Sequence, residues 1–214
     1  MDATLRVAGT AVVLRDGVDG LETLLLRRPE TGSFAGAWVF PGGAVESGDI
    51  LEGETETDAA RRAAVRETAE EAGLRVRDLQ PVSCWTPPVD APRRYRTWFF
   101  LARSAEDELV LNPAEVTDAV WVTPAGAFDR HAAGSLVLFP PTWVTLHGLL
   151  PHRTVDEAYA AAGTVQQFVT HSRVTPSGRL LTWAGDEEHP HEPGAPGARH
   201  RLTAGPPPWR YERG

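Results

Sequence analysis

Residues 41–74 read PGGAVESGDILEGETETDAARRAAVRETAEEAGL, and the rest of the chain is organised around this stretch. Its end predicts a helix over Thr55 to Ala72. Gly73 is expected to end that helix, because glycine readily takes the left-handed conformation found at helix C-termini. Glu67, Glu70 and Glu71 lie at i, i+3 and i+4 on this helix, so all three carboxylates share one face.

Small residues fall on roughly the opposite face of the predicted helix, at Val65, Ala69 and Ala72. Their size would allow the helix to lie close against a sheet. Three carboxylates on one turn repel each other, which destabilises a helix that offers them no partner. A divalent cation such as Mg²⁺ would reverse this effect, because it binds oxygen ligands. The alternative is a solvated acidic face, the usual fate of a run of charges.

The same residues resemble a known family signature. Gly43, followed by Arg66-Glu67, Glu70-Glu71 and Gly73-Leu74, resembles the Nudix box. The resemblance implies an α/β fold, namely an α/β/α sandwich with a mixed central sheet, here with extra C-terminal helices and a tail. It also implies a Nudix pyrophosphohydrolase. Such an enzyme uses Mg²⁺ or Mn²⁺ to cleave the pyrophosphate bond of a nucleoside diphosphate linked to another group.

The roles of individual residues follow from this resemblance. The implied metal ligands are Glu67, Glu70 and Glu71. The implied catalytic residues are Glu67, Arg66 and Glu115. Glu115 belongs to a later loop, NPAEVTD at 112–118, in which Asp118 is the second candidate. The general base is left open between Glu67 and Glu115.

The box departs from the family pattern in length, since the segment between Gly43 and Arg66 is nine residues too long. Asp49 lies at the family's spacing from Gly43, whereas Asp58 lies at the family's spacing from Arg66. Either aspartate could therefore pair with Arg66. The lengthened box and FPPTWVTL at 139–146 resemble the peroxisomal-type coenzyme A diphosphatase branch. Coenzyme A or its thioesters are therefore predicted substrates, with ADP-ribose or NADH-type dinucleotides as the alternative. A non-catalytic Nudix-like nucleotide-sensing module is the alternative from another class.

Substrate-binding candidates lie around the box. Residues 5–14 and 21–28 predict a hairpin that ends in Arg27 and Arg28. These two arginines either contact phosphate or are solvated charges on a strand edge. Gly42 and Gly43 allow the backbone to approach a ligand and to point amides at a phosphate.

Composition restricts the partners. The 214 residues carry a net charge of −8, which argues against a nucleic-acid backbone as partner. All 21 cationic residues are arginine, so the small nucleotide-diphosphate substrate that the resemblance implies would have to be met by local arginines or a metal ion. The single cysteine, Cys84, indicates a reducing compartment and a core position. The N-terminus shows no signal pattern and no apolar run is long enough for a membrane span, so a cytoplasmic protein is predicted. The tryptophan content leaves room for a homodimer.

The chain divides, on this interpretation, into a Nudix hydrolase domain with C-terminal helices at 1–165 and an extension at 166–214. Phe139, Trp143, Leu146 and Leu150 form an apolar stripe at helical spacing. The sequence of the extension predicts a short hairpin around residues 176–178. A tail rich in proline, glycine and histidine follows. Residues 186–208 are nearly free of aliphatic side chains, so a loop or a strap is expected there. The histidines of this tail fit either loop composition or a metal site: His189, His191 and His200.

Overall fold

The computed structural model describes residues 5–32, 34–91, 94–104 and 108–214. The larger sheet contains β1 (Arg6–Gly17), β2 (Gly20–Arg27), β3 (Trp38–Val39), β4 (Gly42–Ala44), β5 (Val76–Thr86), β6 (Tyr95–Ser104), β7 (Asp118–Val122) and β8 (Gln166–Val169). The smaller sheet contains β9 (His171–Thr175), β10 (Gly178–Thr182), β11 (His200–Ala204) and β12 (Arg210–Arg213). The helices are α1 (Glu56–Ala72), α2 (Pro124–Ala132), α3 (Pro140–Leu149) and α4 (Val155–Ala161), and a short 3₁₀ helix covers Ser47–Asp49.

The larger sheet is mixed, as predicted. Its strands follow the order β3-β2-β1-β6-β5-β8, while β4 pairs with β1 and β7 pairs with β2. The β1–β6 and β5–β8 pairs are parallel and the other pairs of this sheet are antiparallel. The predicted hairpin of the first two strands is present, with Leu14 opposite Thr23.

The two faces of this sheet carry separate hydrophobic cores, because side chains alternate along each strand. Val12 and Leu14 face a core to which α2, α3 and α4 contribute, whereas Val13 faces a core that contains buried alanines of α1. The helices therefore cover both faces of the sheet, which confirms the predicted α/β/α arrangement.

Helix α1 packs on the sheet through a different face from the one predicted. Gly9 of β1 lies directly under the helix, since a Cβ atom added there would lie 1.8 Å from the carbonyl oxygen of Ala60. Val65 and Ala69 are exposed, and of the three small residues predicted to face the sheet only Ala72 is buried. The prediction was wrong because the buried face of α1 is shared between alanines and a glutamate.

The apolar stripe predicted around α3 is buried only in its middle. Trp143 and Leu146 lie in the core, while Phe139 and Leu150 remain 36% and 43% exposed at the two ends of the helix. In the described part of the chain, no helix is both long and apolar enough to cross a membrane.

The tail at 186–208 is more ordered than predicted, since β11 lies within it and pairs with β10 and β12. Asp186 is fully buried and accepts hydrogen bonds from the Arg201 guanidinium and, at 2.9 Å, from the backbone N–H of His200. This buried polar network supplies the order that aliphatic side chains do not. Leu202 of β11 and Trp183 also join the core shared with β1, so the division at residue 165 stays a prediction.

Candidate active site

Helix α1 ends at Ala72, as predicted, and begins at Glu56, one residue later than predicted, because Thr55 is its N-cap. The Thr55 hydroxyl accepts a hydrogen bond from the Asp58 backbone N–H, and the Asp58 carboxylate accepts one from the Thr55 backbone N–H, which together form a capping box. Gly73 ends the helix with a φ of 69°. Asp58 is therefore occupied at the start of the helix, far along it from Arg66.

Three carboxylates converge near the other end of α1. Oxygens of Glu67, Glu71 and Glu115 lie within 4.8 Å of one another, and no other such cluster occurs within the described ranges. Glu71 is 2% exposed, and Glu67 and Glu115 are half-buried. Anionic groups at this density repel each other, and a hard cation with oxygen ligands suits the set.

Glu71 is held by two donors. Its Oε2 accepts a hydrogen bond of 2.9 Å from the Gly42 backbone N–H, and its Oε1 accepts one from Arg28. Burial raises the pKa of Glu71 to about 7, with a smaller contribution from the charges of Glu67 and Glu115, even though Gly42 and Arg28 act in the opposite direction. The ionised form of this carboxyl group thus lacks sufficient compensation from protein groups alone.

Arg66 organises the carboxylates around it. Its Nη2 donates to Asp49 Oδ2 at 3.0 Å and to the Ala44 carbonyl at 3.0 Å, so Asp49, and not Asp58, is its acidic partner. Its Nη1 donates to Glu67 Oε1 at 2.9 Å and to Glu70 Oε2 at 3.0 Å. Although burial alone would raise it, the pKa of Asp49 is held below its ordinary value by Arg66.

Glu70 occupies a different environment from the two glutamates with which it was grouped. Its side chain is 51% exposed and forms an ion pair with Arg66. The third carboxylate of the cluster, beside Glu67 and Glu71, belongs to Glu115. The assignment of Glu70 as a metal ligand stays a prediction.

Glu115 is placed by backbone hydrogen bonds of its loop. The N–H of Asn112 donates to the carbonyl of Glu71 at 3.1 Å, and the N–H of Thr117 donates to the carbonyl of Arg27 at 2.9 Å. The loop is thereby fixed both to the end of α1 and to the end of β2. Asp118, the second candidate, is exposed at the start of β7 and lies outside the carboxylate cluster.

The glycine pair lies directly under the carboxylates. A Cβ atom on Gly43 would lie 2.3 Å from the Cδ and Oε1 atoms of Glu67, so a side chain there would displace that carboxylate. Gly42 has a φ of 155°, and its N–H is the donor to Glu71. Both residues are thus positioned against the acidic cluster, and their predicted role in substrate binding is not tested by these contacts.

Arg27, the last residue of β2, and Arg28, which follows it, contact different partners. Arg28 contacts Glu71, whereas Arg27 is 42% exposed and donates to Glu30 Oε1 at 2.6 Å. Sequence reasoning missed the Arg28–Glu71 ion pair and the close approach at Gly9. A glycine inside the β1 pattern is a usable signal for the second, because such glycines often mark close backbone approach.

Comparison with known proteins places this geometry in a family. The family model described as NUDIX domain matches residues 5–140. A NUDIX hydrolase structure from Alicyclobacillus acidocaldarius is 25% identical and covers 77% of this chain and 100% of its own, with a TM-score of 0.67. A MutT NUDIX hydrolase from Burkholderia pseudomallei is 23% identical over 68% of this chain and 98% of its own, with a TM-score of 0.53.

A third structure, the NUDIX domain of Shewanella oneidensis NrtR complexed with ADP ribose, is 18% identical. It covers 68% of this chain and 86% of its own, with a TM-score of 0.53. No curated protein sequence matches the chain. The matches confirm the predicted enzyme class, a Nudix pyrophosphohydrolase. Since the family model matches well over half of its length, the chain belongs to the NUDIX domain family.

Proposed function

We propose that the chain catalyses Mg²⁺- or Mn²⁺-dependent hydrolysis of the pyrophosphate bond in a nucleoside diphosphate linked to another group. The observation that carries this proposal is the convergence of the Glu67, Glu71 and Glu115 oxygens within 4.8 Å. Carboxylate oxygens are suitable ligands for either ion. A bound ion would neutralise phosphoryl charge and lower the pKa of an attacking water.

The protein groups around the cluster have separable tasks. Gly42 and Arg28 hold Glu71, while Arg66, itself fixed by Asp49, holds Glu67. The Arg28 guanidinium also supplies a positive charge beside the cluster, where a diphosphate needs one. The proton of the attacking water would pass to Glu67 or to Glu115, the two carboxylates that remain candidates for the general base.

The substrate is proposed at two levels. The lengthened box and the segment at 139–146 favour coenzyme A or its thioesters. ADP-ribose or an NADH-type dinucleotide is the alternative, and ADP-ribose is a natural test compound because the NrtR NUDIX domain binds it. A non-catalytic sensing module is disfavoured because it has no need of three converging carboxylates.

A substrate panel tests the proposal. Coenzyme A, ADP-ribose, NADH and diadenosine polyphosphates are incubated with Mg²⁺ or Mn²⁺, and the phosphate-ester products are quantified. We expect turnover of at least one compound, lost on chelation, and a decrease of about 10²-fold or more in Glu71→Gln. Glu192→Gln, an exposed glutamate of the C-terminal segment, is the matched control.

The same assay separates the remaining alternatives. Glu70→Gln should lower activity if Glu70 binds metal, and comparing the pH dependence of kcat in Glu67→Gln and Glu115→Gln identifies the general base. Binding of a panel compound without turnover would favour the sensing module. Wild-type turnover in Glu71→Gln would show that the carboxylate cluster is not the catalytic site. The homodimer and the cytoplasmic location stay predictions.

A further inference from the structure

Two phenylalanine rings are left exposed in contact with each other, one in the loop after β2 and one at the start of α3. Phe34 is 55% exposed and Phe139 is 36% exposed, and their ring centroids lie 5.0 Å apart with the planes at 88°. Phe34 lies in a turn and has a φ of 58°, a left-handed conformation that is unfavourable for a bulky residue. Strained residues of this kind cluster at functional sites. Neither core packing nor local backbone preference explains a ring at this position.

Hydrogen bonds connect the loop that carries Phe34 to the site. The N–H of Ala37 donates to the Phe34 carbonyl at 2.9 Å, and the N–H of Arg28 donates to the Ala37 carbonyl at 2.9 Å. The Arg28 side chain in turn contacts Glu71. Phe34 is thus two backbone hydrogen bonds away from a residue that touches the carboxylate cluster.

Phe139 reaches the same place from another part of the chain. The N–H of Trp38 donates to the carbonyl of Val137 at 2.9 Å, and Trp38 forms a parallel bridge with Leu138. Trp38 also pairs with Arg27 at the end of β2. The loop before α3 and the loop after β2 therefore meet at one edge of the sheet, beside the cationic end of the hairpin.

We propose that Phe34 and Phe139 form a stacking platform for the nucleobase of the substrate, while its diphosphate lies at Arg28 and the carboxylate cluster. This inference rests on the proposed function. Aromatic rings stack on any nucleobase through their faces, so the platform would favour substrates with a base over base-free pyrophosphates without selecting among bases.

The test uses ADP as a probe with a base and inorganic pyrophosphate as a probe without one, each titrated calorimetrically with Mg²⁺ present. Phe34→Gly removes one ring and suits the left-handed backbone, so the loop conformation is retained. Phe139→Leu removes the other ring and keeps its apolar bulk. Phe34→Trp should preserve binding, and Val174→Ala changes an 80% exposed valine of β9 as the control.

We expect Phe34→Gly and Phe139→Leu to weaken ADP binding about tenfold and pyrophosphate binding less than twofold. In turnover of the preferred substrate, KM should rise while kcat stays within about twofold of wild type. Unchanged ADP binding in both variants, or equal losses for both probes, would overturn the platform. Dissociation of a wild-type dimer in these variants, seen by sedimentation, would assign the pair to an interface between copies and overturn it as well.

The wild-type titrations separate this inference from the function on which it rests. If wild type binds pyrophosphate and ADP equally well, the platform is refuted while the proposed function stands. If wild type binds neither probe and hydrolyses no panel compound, the proposed function fails and the platform fails with it.

Discussion

Replacing Gly43 with alanine should remove most of the activity and leave the fold intact. The added Cβ would lie 2.3 Å from Glu67 Cδ, whereas an ordinary contact begins at 3.4 Å, so the carboxylate must move by about 1 Å. Misplacement of a reacting group by about 1 Å can cost about 10²-fold in rate, equivalent to about 2.7 kcal/mol of barrier. We therefore expect kcat/KM to fall about 10²-fold.

The stability of this variant should change little. Gly43 does not have a left-handed φ, and the group that must yield is the end of a flexible side chain. Alanine has fewer accessible backbone conformations than glycine, so the unfolded chain has less conformational entropy to lose. Where the native conformation suits alanine, this stabilises the folded state by about 0.4–1 kcal/mol. The melting temperature should stay within about 4 °C of wild type.

Gly9→Ala is the matched control for that prediction. There the Cβ would lie 1.8 Å from a main-chain oxygen of Ala60, which cannot move without shifting α1. We expect a lower melting temperature by differential scanning calorimetry and a loss of activity that follows unfolding. Activity of Gly43→Ala within about threefold of wild type, or unfolding of Gly43→Ala as easily as Gly9→Ala, would refute the reasoning.

Three further predictions concern charged groups. Burial alone would raise the pKa of Asp186, but Arg201 holds this pKa at about 2. The ionised carboxylate therefore contributes about 2 kcal/mol to the free energy of unfolding above pH 4, and this contribution is lost as the pH falls towards 2. Acid denaturation of Asp186→Asn should lack this pH-dependent loss of stability. Burial raises the pKa of Glu71 from 4.5 to about 7, so the free energy of unfolding of the metal-free protein should decrease by up to about 3 kcal/mol as the pH rises from 4.5 through 7. Mg²⁺ should restore this stability. Equal melting curves with Mg²⁺ and with chelator at pH 8 would contradict this expectation. Asp49→Asn should lower kcat through Arg66, whereas Asp58→Asn should mainly destabilise the protein through the capping box at the start of α1. Similar activity losses in both variants would contradict the assignment.

Local signals were sufficient for the central part of the fold. The limits of α1 follow from Thr55 and Gly73, whose capping roles depend only on neighbouring residues. The strands β1 and β2 follow from their apolar runs and the turn between them. These features were predictable because each is determined within a few residues of sequence.

Long-range contacts were not predictable in the same way. The order of the tail depends on Asp186 and Arg201, fifteen residues apart, and composition gives no indication that they pair in a buried site. The Asp49 partner of Arg66 was similarly left open, because spacing along the chain fits Asp58 equally well. Glu115 was found through the family resemblance, and its position depends on backbone hydrogen bonds to Glu71 and Arg27 through Asn112 and Thr117.

Glu71 explains why the packing face of α1 was misjudged. Hydrophobicity places a glutamate outside the core, yet this residue is 2% exposed, one position before the fully buried Ala72. Burial raises its pKa to about 7 in spite of Arg28 and Gly42, so the ionised carboxylate is poorly compensated by protein groups alone. A residue that opposes local rules and destabilises the metal-free fold is expected where function requires it. Stability and activity should therefore be in conflict at this position, and sequence rules derived from stability alone fail there for a physical reason.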